Sequence, residues 1–306
     1  MNTLKKKKMN RFVLFHTVLV FSALVIFTSC GKENEFNDHL GTGIRSQFLV
    51  DRIYDYHDNL WAEYNYDDNI KLTERIITTK SVHPIRTDEM RSEDKFEYVN
   101  GRVSKIITNT KGHTVFHEYG FETHDNYQSE TTFKYDRKGR LTRGNGVYGQ
   151  DLDFRYENGR VVGFLNNNED LWFITDTMLY DNSSNIIKHI SIGPELSMFG
   201  QPIPGTSQRN VRYYEYDDKP KPNFGLDYLF IFQPLPQQGG IWDYANHKRL
   251  LSKNNITEAL SEGYKWIYTY NENGLPATIE IIWLGCATSE WECIPNVLRI
   301  VYKQIK

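Results

Sequence analysis

One nine-residue stretch constrains this chain more than any other: Phe133-Lys134-Tyr135-Asp136-Arg137-Lys138-Gly139-Arg140-Leu141. Side chains alternate faces along a strand, so Phe133 and Tyr135 share one face. The Asp136 carboxylate can accept from backbone amides just ahead of it and favours a turn. Gly139 takes a positive φ without penalty where the chain reverses. Arg140 then points to solvent and Leu141 returns to the apolar face. The stretch therefore reads as a strand end, a turn and the start of a returning strand, which is a β-hairpin with its turn chemistry written in.

Relatives of this unit recur along most of the chain. They are Tyr64-Asn65-Tyr66-Asp67-Asp68-Asn69-Ile70, Phe96-Glu97-Tyr98-Val99-Asn100-Gly101-Arg102-Val103 and Phe154-Arg155-Tyr156-Glu157-Asn158-Gly159-Arg160-Val161. Leu179-Tyr180-Asp181-Asn182, Tyr214-Glu215-Tyr216-Asp217 and Tyr268-Thr269-Tyr270-Asn271-Glu272-Asn273-Gly274-Leu275 complete the series. Their spacing is irregular, whereas solenoid repeats keep a fixed period. The expectation is an all-β fold: one large antiparallel, meandering sheet with loops of unequal length, open, rolled or half-closed into a barrel, with few short helices. The abundance of Tyr, Phe and Trp (20, 17 and 6) suits half-buried pleated surfaces.

These units resemble degenerate YD (RHS-type) repeats, whose pattern is aromatic-x-Tyr-Asp-x-x-Gly-Arg-Leu. The chain is similar, more narrowly, to lipoproteins of unknown function from the Bacteroidota that carry such repeats. Tyr214 to Asp218, Ser252-Lys253-Asn254-Asn255-Ile256-Thr257 and Tyr268 to Pro276 carry that likeness. The resemblance implies a YD-type architecture and an envelope location and is silent on activity. The irregular spacing departs from true YD arrays.

Residues 1–29 read as an export signal. Lys5 to Lys8 and Arg11 form a basic start, and Phe12 to Phe27 is an apolar run shorter than the ~20 residues needed to span a bilayer. Phe27-Thr28-Ser29-Cys30-Gly31 resembles a lipobox, which implies cleavage before Cys30 and lipid on its sulfur, although Phe27 stands where leucine is usual. Residues 30–46 follow as a polar, acidic tether, and in this phylum such a stretch resembles a surface-export signal. Residues 47–306 read as a single β-rich domain. Losing the five signal cations from 36 leaves 31 against 39 acidic residues, a mature balance of −8. That balance, with no basic run, argues against nucleic acid and against a polybasic membrane contact. Membrane attachment is expected through the lipid alone, on the outer membrane, at the cell surface or its periplasmic face.

Strands are expected at Phe48–Tyr54, Leu60–Tyr66, Leu72–Thr79, Lys95–Val99, Arg102–Thr108, Thr114–Thr123, Glu130–Tyr135, Leu152–Tyr156 and Arg160–Leu165. Further strands are expected at Leu171–Tyr180, Asn185–Ile192, Val211–Tyr216, Tyr264–Tyr270, Ala277–Leu284 and Val297–Tyr302. Helical turns are allowed only in Arg249 to Glu262 and Leu226 to Phe232. The loops Gly193 to Gln208 and Lys219 to Gly240 are rich in proline, which cannot join a central ladder, so both read as connections or sheet edges. The second holds Phe224, Tyr228, Phe230 and Phe232, then Trp242 and Tyr244, either folded onto the sheet or forming an aromatic platform.

Cys286 and Cys293 are the cysteines left after lipidation, and in an oxidising compartment a disulfide between them is expected to pin their loop by about 2–3 kcal/mol. His113, His117 and His124 lie near Glu118 and Asp125. On a helix His113 and His117 would share a metal. The segment reads as strand, where four residues span roughly 13 Å, so solvent-facing histidines and no metal site are expected. Asp67, Asp136, Asp181 and Asp217 fall at turns, and their structural role explains them. Two such carboxylates meeting across a cleft would make a glycosidase pair, but the linear sequence brings no two together. No phosphate loop, nucleophile elbow or zinc-protease motif is present. No cofactor and no catalytic residue is expected. Asp176-Thr177-Met178 resembles a short O-glycosylation site of the same phylum.

Two functions follow as expectations. The first is a non-catalytic envelope lipoprotein binding an extracellular ligand such as a glycan, with Trp242, Tyr244, Trp61 and Trp172 as candidate stacking aromatics and Trp266 and Trp291 as further ones. The second is a scaffold or accessory subunit of an envelope complex, with a partner protein on an edge strand. A glycoside hydrolase is a minor third. An exposed aromatic row would favour the first, and a bare edge the second.

Overall fold

The computed structural model describes residues 48–82, 84–147, 150–166, 175–195, 203, 205–225, 251–284 and 296–305. Among them, seventeen strands form one antiparallel sheet. They are β1 (Phe48–Tyr54), β2 (Leu60–Tyr66), β3 (Leu72–Val82), β4 (Arg86–Val99), β5 (Arg102–Phe116), β6 (Phe121–Tyr135), β7 (Leu141–Val147), β8 (Gln150–Glu157) and β9 (Arg160–Asn166). Then come β10 (Thr175–Tyr180), β11 (Ile186–Gly193), β12 (Gln208–Tyr213), β13 (Glu215–Pro220), β14 (Asn254–Ala259), β15 (Tyr264–Tyr270), β16 (Pro276–Trp283) and β17 (Asn296–Gln304).

The topology is a meander. Each strand pairs with its sequence neighbour from β1 to β12. The same holds from β13 to β17, and β17 pairs back onto β1. Neither β1 nor β17 is therefore an edge. The two ends of the ladder are β12 and β13, consecutive strands separated only by Tyr214. No ladder joins those two among the described residues. The Tyr214 N–H donates to Ile187 O (3.2 Å), prolonging the β11 pairing by one residue before β13 passes to β14.

The repeated sequence unit builds one end of this sheet. At Asp67, Asp136, Asp181 and Asn271 the side-chain Oδ1 accepts from the backbone N–H four residues on, at 2.8–3.0 Å. The residue three positions on takes a positive φ: Ile70 66°, Gly139 83°, Ser184 70° and Gly274 72°. The Asn100-Gly101 and Asn158-Gly159 turns are tighter, with positive φ at both residues, as a two-residue hairpin turn requires. At Gly139 a Cβ would also displace the Arg102 guanidinium, which lies against the turn.

The tyrosine before each turn has a defined task. Its hydroxyl donates to a backbone carbonyl of an earlier strand: Tyr66 to Val50, Tyr98 to Leu72, Tyr135 to Val103, Tyr156 to Leu141 and Tyr180 to Val161, all at 2.7–2.8 Å. Tyr216 to Ile186 repeats the contact at 2.9 Å, and Tyr268 to Ile256 and Tyr302 to Pro276 make the same contact from within their strands at 2.7 and 2.8 Å. The cation that leaves one turn covers the tyrosine of the next hairpin. Lys71 lies over Tyr98, Arg102 over Tyr135, Arg140 over Tyr156 and Arg160 over Tyr180, at 5.0–5.8 Å from the ring centres. Aromatic, Tyr, Asp, Gly and Arg thus act together, each hairpin being tied to its neighbour.

The first aromatic of several units faces the core. Tyr64, Phe96, Phe133, Phe154 and Tyr214 are buried there with Trp266, Val50, Ile53, Leu72, Leu141, Ile186 and Leu298. Phe224 packs on Tyr64 with ring centres 5.2 Å apart, so the start of the second proline-rich loop is folded onto the sheet. Burial pushes the tyrosine hydroxyls up. Those of Tyr64 and Tyr135 rise to about 12, and those of Tyr66, Tyr98, Tyr156 and Tyr180 rise as well.

Four local expectations are corrected. Thr114–Thr123 is not one strand, because β5 ends at Phe116, a turn follows and β6 starts at Phe121. Within Arg249 to Glu262 the helical reading holds only for a single 3-10 turn, Leu260–Glu262, and Asn254–Ala259 is strand β14. Val211–Tyr216 is split at Tyr214 between β12 and β13. The expected Lys95–Val99, Arg102–Thr108 and Glu130–Tyr135 are only the inner parts of strands 14, 15 and 15 residues long. The Leu226 to Phe232 region lies outside the described residues.

Candidate functional site

Beyond the core, β3 to β6 continue as an extension of the sheet. β2 pairs with β3 no further than Ile77, and β7 pairs with β6 only from Thr132 to Tyr135. The outer residues 78–82, 86–93, 109–116 and 121–131 therefore pair only with residues of β3, β4, β5 and β6. Phe121 to Glu130 are exposed at ten successive positions. Among the described residues no strand lies against the outer side of β6 over 121–130, which leaves that edge without a ladder partner there.

Where the extension meets the core, Arg75 and Asp94 lie opposite each other on β3 and β4, with side chains only 7% and 4% exposed. Asp94 accepts from Arg75 Nε (2.8 Å) and Nη2, and from Thr108 Oγ1 (2.6 Å). One rank further out, Ser92 and Thr110 share a hydrogen bond of 2.8 Å. The core-side face thus changes from Phe96 and Ile106 to a buried ion pair and then to hydroxyls. The opposite face is charged, with Lys80 on Glu89 (2.6 Å), Arg91 on Glu93 (3.0 Å) and Lys105 on Glu97 and Glu130 (3.5 and 3.7 Å).

The β5–β6 turn carries aromatics. Phe116 and Phe121 stack with ring centres 4.4 Å apart, and Tyr119 is 74% exposed. On the charged face the same hairpin brings His113 opposite His124, with parallel rings 4.6 Å apart. His113 Nε2 lies 3.0 Å from Glu122 Oε2, and His124 Nε2 lies 3.9 Å from the same oxygen. The expectation that the histidines face solvent from one strand missed this pairing. The signal was available: His117-Glu118-Tyr119-Gly120 is a turn, and His113 and His124 are equidistant from its midpoint. His117 stands apart and hydrogen-bonds Thr87 Oγ1 at 3.0 Å.

A second polar cluster lies at the β11–β14 seam. Asn185, Ser252, Asn254 and Asn255 are buried. Asn185 Nδ2 donates to Asn254 Oδ1 (3.1 Å), the Ile186 N–H to Ser252 Oγ (2.8 Å) and Asn254 Nδ2 to Lys219 O (3.0 Å). Asn255 Nδ2 and the Tyr270 hydroxyl both donate to Asp217 Oδ2. These groups satisfy one another, so the cluster ties β13 to β14.

The remaining sequence-predicted residues fall as follows. Trp61 is half-buried and packs against the core, and Trp266 is inside it. Trp172, Trp242, Tyr244, Trp291, Cys30, Cys286 and Cys293 lie outside the described residues. Asp67, Asp136 and Asp181 hold their own turns, and Asp217 holds Asn255 and Tyr270. At Asp136 burial works against ionisation, yet the Arg140 backbone N–H and guanidinium keep its carboxyl below the ordinary value. Thr177 sits within β10 beside buried Met178, 3.4 Å from the Arg155 guanidinium.

No protein-family model and no curated protein matches this chain. Among solved structures it is similar to a porin-like protein from Bacteroides uniformis, at 10% identity and a TM-score of 0.38, over 76% of this chain and 97% of that one. A porin-like protein from Bacteroides vulgatus matches at 11% identity and 0.36, over 84% and 100%. The TcdB2-TccC3 structure without its hypervariable C-terminal region matches at 10% identity and 0.23, over 78% of this chain and 16% of that one. These overlaps are too loose to transfer a fold family or a function.

Proposed function

We propose that this is a non-catalytic, lipid-anchored protein of the cell envelope that engages a partner protein along the outer part of β6. The observation that carries this reading is the run of ten exposed residues, Phe121 to Glu130, on a strand edge that no described strand covers. An edge presents a row of N–H and C=O groups with which another extended chain can pair, and the side chains on either face then select the partner. The lipobox-like Phe27-Thr28-Ser29-Cys30 supports attachment through lipid, and the acidic tether supports display at the surface. The turn aspartates support a non-catalytic role, because their carboxylates are engaged in holding hairpins.

A glycan ligand is the second reading. It is favoured by Phe116, Phe121 and Tyr119 at the β5–β6 turn, where aromatic faces are available for stacking on a sugar ring. Photo-cross-linking from positions 123 and 127 on intact cells separates the two. The first reading predicts a protein adduct of one defined mass from these positions and none from exposed Lys303 on β17. A glycan that raises the melting temperature of the purified protein, with no adduct on cells, would overturn the first reading in favour of the second.

A further inference from the structure

We infer that His113, Glu122 and His124 form a binding site for a divalent transition-metal ion, with zinc the ion best matched to the ligand set. The site goes beyond the docking edge and does not depend on it. Register is the first ground. His113 stands directly opposite His124 in the β5–β6 ladder, and opposite residues share a face. Glu122 is two residues from His124 on the same strand, so it shares that face too. Three side chains of zinc-ligand type are thus held on one side of a two-stranded ladder whose backbone fixes their origins.

Distance is the second ground. One donor atom from each residue lies within 4.8 Å of the other two. Both Nε2 atoms converge on a single carboxylate oxygen, at 3.0 and 3.9 Å. Zinc with Zn–N and Zn–O bonds of about 2.0–2.2 Å at tetrahedral angles separates its donors by roughly 3.3 Å. The observed spacings bracket that value, and rotation of the two imidazoles out of their parallel stack would turn both Nε2 lone pairs toward one point. Two imidazoles and one carboxylate make a borderline set that suits zinc, copper or nickel rather than magnesium or calcium.

Competition among neighbours is the third ground. Glu89 on β4 also stands opposite His113 and is the carboxylate of that row. Lys80 Nζ engages it at 2.6 Å. Among the ion pairs of the described residues Glu122 meets no lysine or arginine, but only His113 and His124. All three residues are accessible, with His124 and Glu122 exposed, so water completes the coordination shell and the ion exchanges freely with solvent. A bound ion would clamp the β5–β6 hairpin from its charged face and hold the outer edge of β6 in register.

The test is calorimetric titration of the untagged full-length protein with zinc, beside three variants whose melts match the parent. The expected result is one equivalent bound by the parent and lost in the His113→Asn/His124→Gln double variant. Glu122→Gln is expected to weaken binding by at least about tenfold. His117→Gln, which alters the neighbouring histidine of the turn, should bind as the parent does. Bound zinc should slow amide exchange in residues 110–127 and leave β15 and β16 unchanged. Retention of the equivalent by the double variant would overturn the site, as would a parent that binds no zinc.

Discussion

Phe133 and Tyr127 lie six residues apart on the same face of the same strand, yet Phe133 is buried in the core and Tyr127 is 55% exposed. The two halves of β6 belong to different regions of the molecule. At the turn end the strands share an apolar face, and tyrosines on β2, β4, β6, β8, β10, β13, β15 and β17 reach an earlier strand through their hydroxyls. In the extension the ladder hydrogen bonds continue, but the core-side face carries Ser92, Thr108, Thr110 and Thr114 in place of apolar side chains. Hydrogen bonding alone keeps a sheet extended, while apolar burial makes it stable. The turn end is therefore the structural base, and the extension is free to be shaped by what it contacts.

Substitutions that strike the boundary or the base should have the largest effects. Asp94→Ala leaves the Arg75 guanidinium buried without its carboxylate and should cost about 3–5 kcal/mol in a urea titration. Leu141→Ala, which empties a fully buried site behind the Asp136 turn, should cost about 2–5 kcal/mol. Either change would break the comparison if it were as mild as one in the extension.

Alkaline pH acts on the base as a whole. The buried tyrosines have folded-state values raised above their ordinary 10.0, to about 12 for Tyr135. A raised value means that the stabilisation is fully present below pH 10 and is lost as the pH climbs from 10 toward 12. A melt series across that window should show a steep fall, and Tyr135→Phe should make the fall shallower. At neutral pH the same variant loses one hydrogen bond to Val103 O and should cost about 0.5–1.5 kcal/mol. Tyr127→Ser, on the same strand but in the extension, should stay within about 0.5 kcal/mol of the parent. A large effect there would erase the distinction between the regions.

The base was legible in the sequence and the extension was not, for one physical reason. Period-two alternation appears only where one face of a strand is buried and the other is wet. β1, β2 and β15 satisfy that condition, and their limits match the sequence reading residue for residue. Arg86 to Asp94 and Asn109 to Glu130 are mostly polar on both faces, with apolar side chains gathered near the turn at Val115, Phe116, Tyr119 and Phe121, so their strand character carries little alternation. The strands were read as short, and the turn at His117-Glu118-Tyr119-Gly120 was read through. That missed turn also hid the His113–His124 pair, because two residues far apart along one strand become neighbours only across a hairpin. β14 was obscured differently. Asn254 and Asn255 are buried by hydrogen bonds to Asn185, Asp217 and Lys219, which lie 35 to 69 residues away. Asparagine in a linear reading signals turns rather than strands.

The division between base and extension is tested most directly by native-state amide hydrogen exchange, resolved by peptide. Residues 96–99, 103–107, 133–135 and 152–156 should exchange only through global unfolding, whereas 110–116 and 121–130 should exchange through a local opening far lower in free energy. Equal protection of both halves of β5 and β6 would contradict the division and make the extension part of one cooperative fold.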